Sequence, residues 1–196
     1  MKLGWTRFWV RVSALLAVAN SFAPAFCASA AAGQGEAPKR RNELTLAGVR
    51  PGQDLLSRMI QIAGAPTTKL AGDSARWLDV CNQLELSADL DEKDRVQVVR
   101  LQRGFAHSNC VLARSNHWRT GRGLRLYDAC NHTVALYGNP DSRGPSTRDG
   151  QPLELLYYSF DWAGPDVPQV MQVVCTVEKD GQGGRVVQIT LAASGL

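Results

Sequence analysis

One spacing occurs twice in this chain and constrains its fold more than any other feature. Asp54 stands ten residues before the glycine of Gly64-Ala65-Pro66, and Asp128 stands ten residues before the glycine of Gly138-Asn139-Pro140. Aspartate accepts hydrogen bonds from the free N–H groups of a first helical turn. Glycine takes the left-handed conformation that ends a helix, and proline prevents continuation. Asp54 and Gly64 therefore delimit one short helix, and Asp128 and Gly138 a second. Their inward faces correspond: Leu56, Ile60 and Ala63 recur at i, i+4, i+7, as do Cys130, Val134 and Tyr137. The lead-in segments also match, Gly48-Val49-Arg50-Pro51-Gly52-Gln53-Asp54 against Gly123-Leu124-Arg125-Leu126-Tyr127-Asp128. This reads as an internal repeat.

Strand patterns follow each helix. In the second half Leu156, Tyr158, Phe160 and Trp162 alternate with Tyr157, Ser159 and Asp161. After a Gly-Pro-Asp-Val-Pro turn, Met171, Val173, Cys175 and Val177 share one face, and Val187, Ile189 and Leu191 follow a Gly-rich turn. The first half offers strands over residues 76–80, 84–90 and 95–101, with a polar turn at 91–94. The expected fold class is α+β: two repeated units, each a short helix packed on an antiparallel three-stranded meander. The units are placed at residues 44–103 and 123–196, with a connector at 104–122. Residues 139–151, rich in polar residues, Gly and Pro, read as a long loop.

The N-terminus reads as a secretory signal over residues 1–30. Lys2, Arg7 and Arg11 precede the apolar run 12–19, and Ala28-Ser29-Ala30 has the small-x-small form of a cleavage site. Residues 31–43 read as a flexible mature N-terminus. Cleavage near Ala30 removes three of the 22 basic residues that face 18 acidic ones, so the mature chain is close to neutral. No basic excess is left to bind nucleic acid. No second long apolar run is present, which excludes a spanning helix in the mature chain. The expected location is the periplasm or the cell exterior.

Four cysteines lie beyond the leader: Cys81, Cys110, Cys130 and Cys175. An even number in an exported chain points to two disulfides. Cys130 falls on the inward face of its helix and Cys175 on the inward face of its strand, which favours Cys130–Cys175. Cys81–Cys110 follows by elimination. The competing arrangement is a metal site drawn from His107, Cys110, His117 and His132, but no C-x-x-C or H-x-x-x-H pair is present. No cofactor is expected.

The run Gly-Leu-x-Leu-x-Asp-(x)5-Val-x-x-Tyr-Gly-x-Pro-Asp at residues 123–141 resembles the helical segment of the BamE/SmpA-like family of exported envelope-assembly proteins. The tandem arrangement is similar to the β-lactamase-inhibitory-protein fold. Tyr127 departs from the glycine usual in that pattern, and the lipid-anchor cysteine of the assembly proteins is lacking. The resemblance implies a protein-binding habit and no enzyme activity.

No Gly-x-Ser-x-Gly, Walker loop, H-E-x-x-H or C-x-x-C-H occurs. The candidate partner-binding residues are Tyr157, on an outward strand face, and Asp161, Trp162 and Asp166, on a proline-stiffened turn. By alternation Trp162 also falls on the inward face, where it would cap the core instead. The expected function is an exported non-catalytic module that binds another protein of the envelope or exterior, in assembly or in enzyme inhibition. The alternatives are a metal-dependent hydrolase built on the His/Cys group, and a small-ligand protein with a cavity lined by Tyr137 and Phe160.

Overall fold

Period-two hydrophobicity, not helical striping, occupies most of the chain, and the computed structural model turns it into strands. The structure describes residues 41–70, 73–105, 115–160, 169–178 and 184–193. In chain order these form α1 (Leu56–Ala63), β1 (Thr68–Leu70), β2 (Ser74–Asp79), β3 (Leu84–Leu90) and β4 (Val96–Arg103). A 3-10 turn (Ser115–His117), α2 (Cys130–Tyr137), β5 (Ser142–Arg148), β6 (Gln151–Phe160), β7 (Gln169–Thr176) and β8 (Val186–Ala193) follow.

The expected α+β pair of repeated units, each a helix on three strands, does not form. Among the described residues one continuous antiparallel sheet of eight strands runs in the order β1-β2-β3-β4-β8-β7-β6-β5 and carries two eight-residue helices. The joint is β4 against β8, in register from Val98↔Ala192 to Gln102↔Gln188. Its physical reason lies in the strands themselves. Val98, Val99 and Leu101 of β4 and Val186, Ile189 and Leu191 of β8 are all buried. Two such apolar strands left as edges would be open templates for aggregation, and pairing them removes both edges.

Residues 139–151 are not a loop either. They hold β5, joined to β6 by the two-residue turn Asp149-Gly150, whose φ values of 50° and 73° are both positive. Asp-Gly is the dipeptide that such a hairpin turn favours.

The core lies on one face of the sheet. Trp77, Leu86, Leu101, Ile189, Val173 and Leu156 sit side by side across six strands in continuous register, and all are buried. Both helices pack on this face. α1 buries Leu56 and Met59, while Ile60, expected inside, is 41% exposed. α2 buries Cys130, Thr133 and Tyr137.

The helix starts are held by the sheet. Neither first turn has a side-chain cap. The Leu56 N–H donates to the Asp94 carbonyl at 2.9 Å, and the Cys130 N–H to the Gly184 carbonyl at 2.7 Å. Asp54 and Asp128 turn backward instead, their carboxylates accepting from the Arg50 N–H at 2.8 Å and the Arg125 N–H at 2.9 Å. Gly64 and Gly138 take the C-cap positions with φ of 86° and 81°. Among the described residues, no helix is long and apolar enough to cross a membrane.

Candidate functional site

The second face of the sheet is built by the alternate residues of the same strands. One row of neighbours runs Arg76, Ser87, Arg100, Thr190, Gln172, Tyr157, Ser142, across seven strands from β2 to β5. These side chains are partly exposed, apart from Thr190, which is buried, and Ser142, which is exposed. Strand alternation places core residues on one face and their immediate neighbours on the other, so this face is polar because the outward positions are polar. Neither helix packs on it. We call it the open face.

Its side chains are wired together. Arg76 Nε lies 3.2 Å from the Glu85 carboxylate, and Gln102 Nε2 donates to the same Glu85 oxygen at 3.1 Å. Arg148 Nη2 donates to Gln102 Oε1 at 3.5 Å and also bonds Gln188 Oε1. Gln188 Nε2 continues to Thr190 Oγ1 at 3.1 Å. Glu85, at 6% exposure, is the buried acid of this chain of contacts.

The Arg148 contacts report the shape of the sheet. Gln188 and Gln102 lie on strands three and four positions away from β5, which on a flat sheet is about 14 and 19 Å at ~4.8 Å per strand. An arginine and a glutamine reaching toward each other do not span the longer gap. The sheet therefore curls around its open face at this end, and that face is concave.

Of the expected contact residues, Tyr157 lies on the open face, partly exposed, opposite Gln172 and Ser142. Asp161, Trp162 and Asp166 lie outside the described residues, as do the leader, His107 and Cys110. The polar set Arg76, Glu85, Arg100, Gln102, Arg148 and Gln188 was not singled out from sequence. Its signal is the outward half of the period-two pattern in β3 and β4; that those positions share a face with Arg148 depends on the β4–β8 pairing.

The other sequence candidates separate in space. His117 is exposed on the 3-10 turn. His132 is exposed on α2, its Nδ1 3.4 Å from the Asp128 carboxylate. Among the described residues no three His, Cys, Asp or Glu side chains converge as metal ligands. Cys130 and Cys175 form a disulfide that ties α2 to β7. Cys81 is disulfide-bonded as well. Tyr137 and Phe160 do not frame a cavity: both are fully buried and pack against Tyr158, with ring centroids 5.9 and 6.3 Å from it.

No family model matches the chain, and no curated protein matches it, so the BamE/SmpA-like resemblance gains no support. Solved structures give distant likenesses. A DUF4309 family protein from Bacillus subtilis is 11% identical, over 78% of this chain and 88% of its own, with a TM-score of 0.43. A cysteine-rich secretory protein from Staphylococcus aureus is 8% identical, over 81% of this chain and 49% of its own, at 0.42. A candidate β-lactamase inhibitor protein from Streptococcus mutans is 14% identical, over 75% of this chain and 89% of its own, at 0.26. At these scores none bears on function.

Proposed function

We propose that the protein is an exported, non-catalytic protein-binding module that presents the open face of its sheet to another protein of the cell envelope or exterior. The carrying observation is that concave face itself, where polar side chains from several strands are held in place by one hydrogen-bonded chain from Glu85 to Thr190, with Arg76 ion-paired to Glu85. Side chains fixed before binding lose little entropy on contact, which favours specific recognition. Arg100, near the centre of the row, has no carboxylate partner among the described residues, and Tyr157 supplies an aromatic three strands along the same row. Arginine and tyrosine are enriched among residues that dominate binding energy.

Export is supported by the Cys130–Cys175 disulfide, since such bonds persist in oxidising compartments. Within this reading the signal is cleaved near Ala30 and Cys110 is the partner of Cys81. Envelope assembly and enzyme inhibition are the two roles such a surface would serve.

The test places a photo-crosslinking residue at Arg100 or Gln172, with Glu92, in the β3–β4 turn, as the control. Irradiation in the native compartment is expected to give an adduct of one mass from both face positions and none from Glu92. Adducts from Glu92 alone, or from no position, would overturn the reading.

A further inference from the structure

A second feature lies on the helix side of the sheet and is independent of the open face. Here α1 and the segment that follows the 3-10 turn enclose a cleft of about 510 Å³. Its basic lining is Arg58, His117 and Arg119, and no acidic side chain lines it. Thr45, Thr120 and Gln61 add polar groups.

The local structure explains why these groups meet. Trp118 is 4% exposed and buries its indole in the core. His117 and Arg119 flank it, are exposed, and both line the cleft. The two segments that carry Thr45 and Arg119 are stitched together, with the Ala47 N–H donating to the Arg119 carbonyl at 2.9 Å and the Gly121 N–H to the Thr45 carbonyl at 3.0 Å. Arg58 is presented by α1, its Nη1 lying 3.4 Å from Gln61 Oε1 one turn along. The basic groups thus stand on two anchored pieces of backbone, and Thr45 on a third.

Arg58 and Arg119 share with Arg100 the lack of a carboxylate neighbour among the described residues. Elsewhere Arg76, Arg95 and Arg143 lie 3.2, 3.8 and 3.3 Å from carboxylates. Among the described residues, Arg58 and Arg119 have none, although acids are as common as bases in the mature sequence. A cleft lined by one sign of charge concentrates field and draws ions of the opposite sign. Guanidinium groups match tetrahedral oxyanions through paired N–H donors.

We propose that this cleft binds a phosphate-type oxyanion, held by Arg58 and Arg119 with the His117 ring and the Thr45 hydroxyl completing the contact. The shared chemistry is a phosphate group, carried by a soluble compound or by a lipid headgroup.

The test follows the His117 ring and Arg119 backbone resonances of the full exported chain during titration with inorganic phosphate, against sodium chloride at matched ionic strength. Saturable shifts specific to phosphate are expected, with binding weakened about tenfold or more in Arg58→Gln and in Arg119→Gln. Both side chains are exposed, so the remaining resonances of each variant should not move. Vesicles of phosphatidylcholine with and without phosphatidic acid separate the sources. Capture by the acidic vesicles, reversed by free phosphate, identifies a headgroup; phosphate binding without capture identifies a soluble ligand. Equal shifts with chloride, or unchanged phosphate binding in the Arg58→Gln/Arg119→Gln double variant, would overturn the proposal.

Discussion

The Tyr137 hydroxyl lies 2.7 Å from the Glu43 carboxylate, across 94 residues of sequence, and both side chains are buried. The same carboxylate accepts the backbone N–H groups of Leu44 at 2.8 Å, Thr45 at 3.0 Å and Arg122 at 3.0 Å. The Tyr137 oxygen also lies 2.6 Å from Thr120 Oγ1. One phenolic proton cannot serve both neighbours, so it goes to the carboxylate, which has acceptors only. Glu43 thereby clamps the N-terminal segment to α2 and to the turn at Gly121, where an added Cβ would meet its Oε1 at 2.7 Å. Tyr137→Phe removes one charge-assisted bond and should lower stability by about 1.5–3 kcal/mol. Urea unfolding of the two proteins at neutral pH checks this.

The same contact sets a response to alkali. Burial first, then the charge of Glu43, hold the Tyr137 phenol well above its usual range. The folded state therefore keeps a proton that the unfolded chain releases near pH 10. Stability from this group is complete below pH 10 and falls as pH rises above it, by up to about 1.4 kcal/mol per unit. The gap between wild type and Tyr137→Phe should accordingly narrow between pH 9 and pH 11. A gap that stays constant over that window would mean the phenol is not held protonated.

The disulfide between Cys130 and Cys175 closes a separation of 45 residues. Chain-entropy arithmetic for a loop of that length gives about 4 kcal/mol. α2 has only three buried side chains, and one of them is Cys130. Replacing both cysteines by alanine should cost roughly that amount and free α2 before the sheet. Denaturant midpoints give the first quantity. Hydrogen exchange gives the second, through faster exchange at the Val134 and Tyr137 amides than in β7. Simple reduction is the poorer test, because it also opens the Cys81 bond.

Asp79 gives the opposite pH dependence. Burial alone would raise its pKa, but hydrogen bonds from the Ser115 and Asn82 side chains and the Asn82 and Cys81 backbone outweigh it, so the carboxyl lies below its usual value. Asn82 supplies two of these bonds, N–H to Oδ1 at 3.1 Å and Nδ2 to Oδ2 at 2.7 Å. A lowered pKa stabilises the fold above the unfolded value of 3.8 and ceases to do so as pH falls through the folded one. Asp79→Asn should cost about 1.5–3 kcal/mol at neutral pH, and less at pH 2.5, below the unfolded value. Urea midpoints at the two pH values decide it; an equal loss at both would remove the charge from the explanation.

Strand alternation makes β6, β7 and β8 legible in the sequence, because Leu156, Tyr158, Met171, Val173, Ile189 and Leu191 bury one face of each strand. Their partners were not legible. Hydrophobic period reports which face a strand buries but not which strand lies beside it. β4 and β8 are separated by almost the whole second half of the chain, so a local pattern suggested two closed units where one sheet forms. The bulge between Val174 and Cys175 added a one-residue error, making Val186 the buried residue at the start of β8 and Val187 partly exposed. β5 escaped because its seven residues contain no apolar side chain but Pro145. The open face inherited the same difficulty, since its residues are ordinary polar side chains until the pairing aligns them.

Two glycines separate the effect of space from that of composition. A Cβ at Gly184 would overlap the Thr176 carbonyl oxygen, a backbone atom with nowhere to move. Thr176 is fixed there because its N–H donates to the Arg185 carbonyl at 2.9 Å and its Oγ1 accepts the Arg185 N–H at 2.8 Å. The Gly184 carbonyl is also the acceptor for the first N–H of α2. Gly184→Ala must therefore displace the β7–β8 junction and the helix start together, at about 3 kcal/mol or more. At Gly144, on the edge strand β5, an added Cβ meets nothing within 4 Å, and φ is not in the left-handed region. Gly144→Ala should be neutral or stabilising by about 0.4–1 kcal/mol through the unfolded chain. Thermal denaturation of the pair reads both. Equal behaviour would show that the Gly184 backbone is free to shift and that α2 does not depend on it.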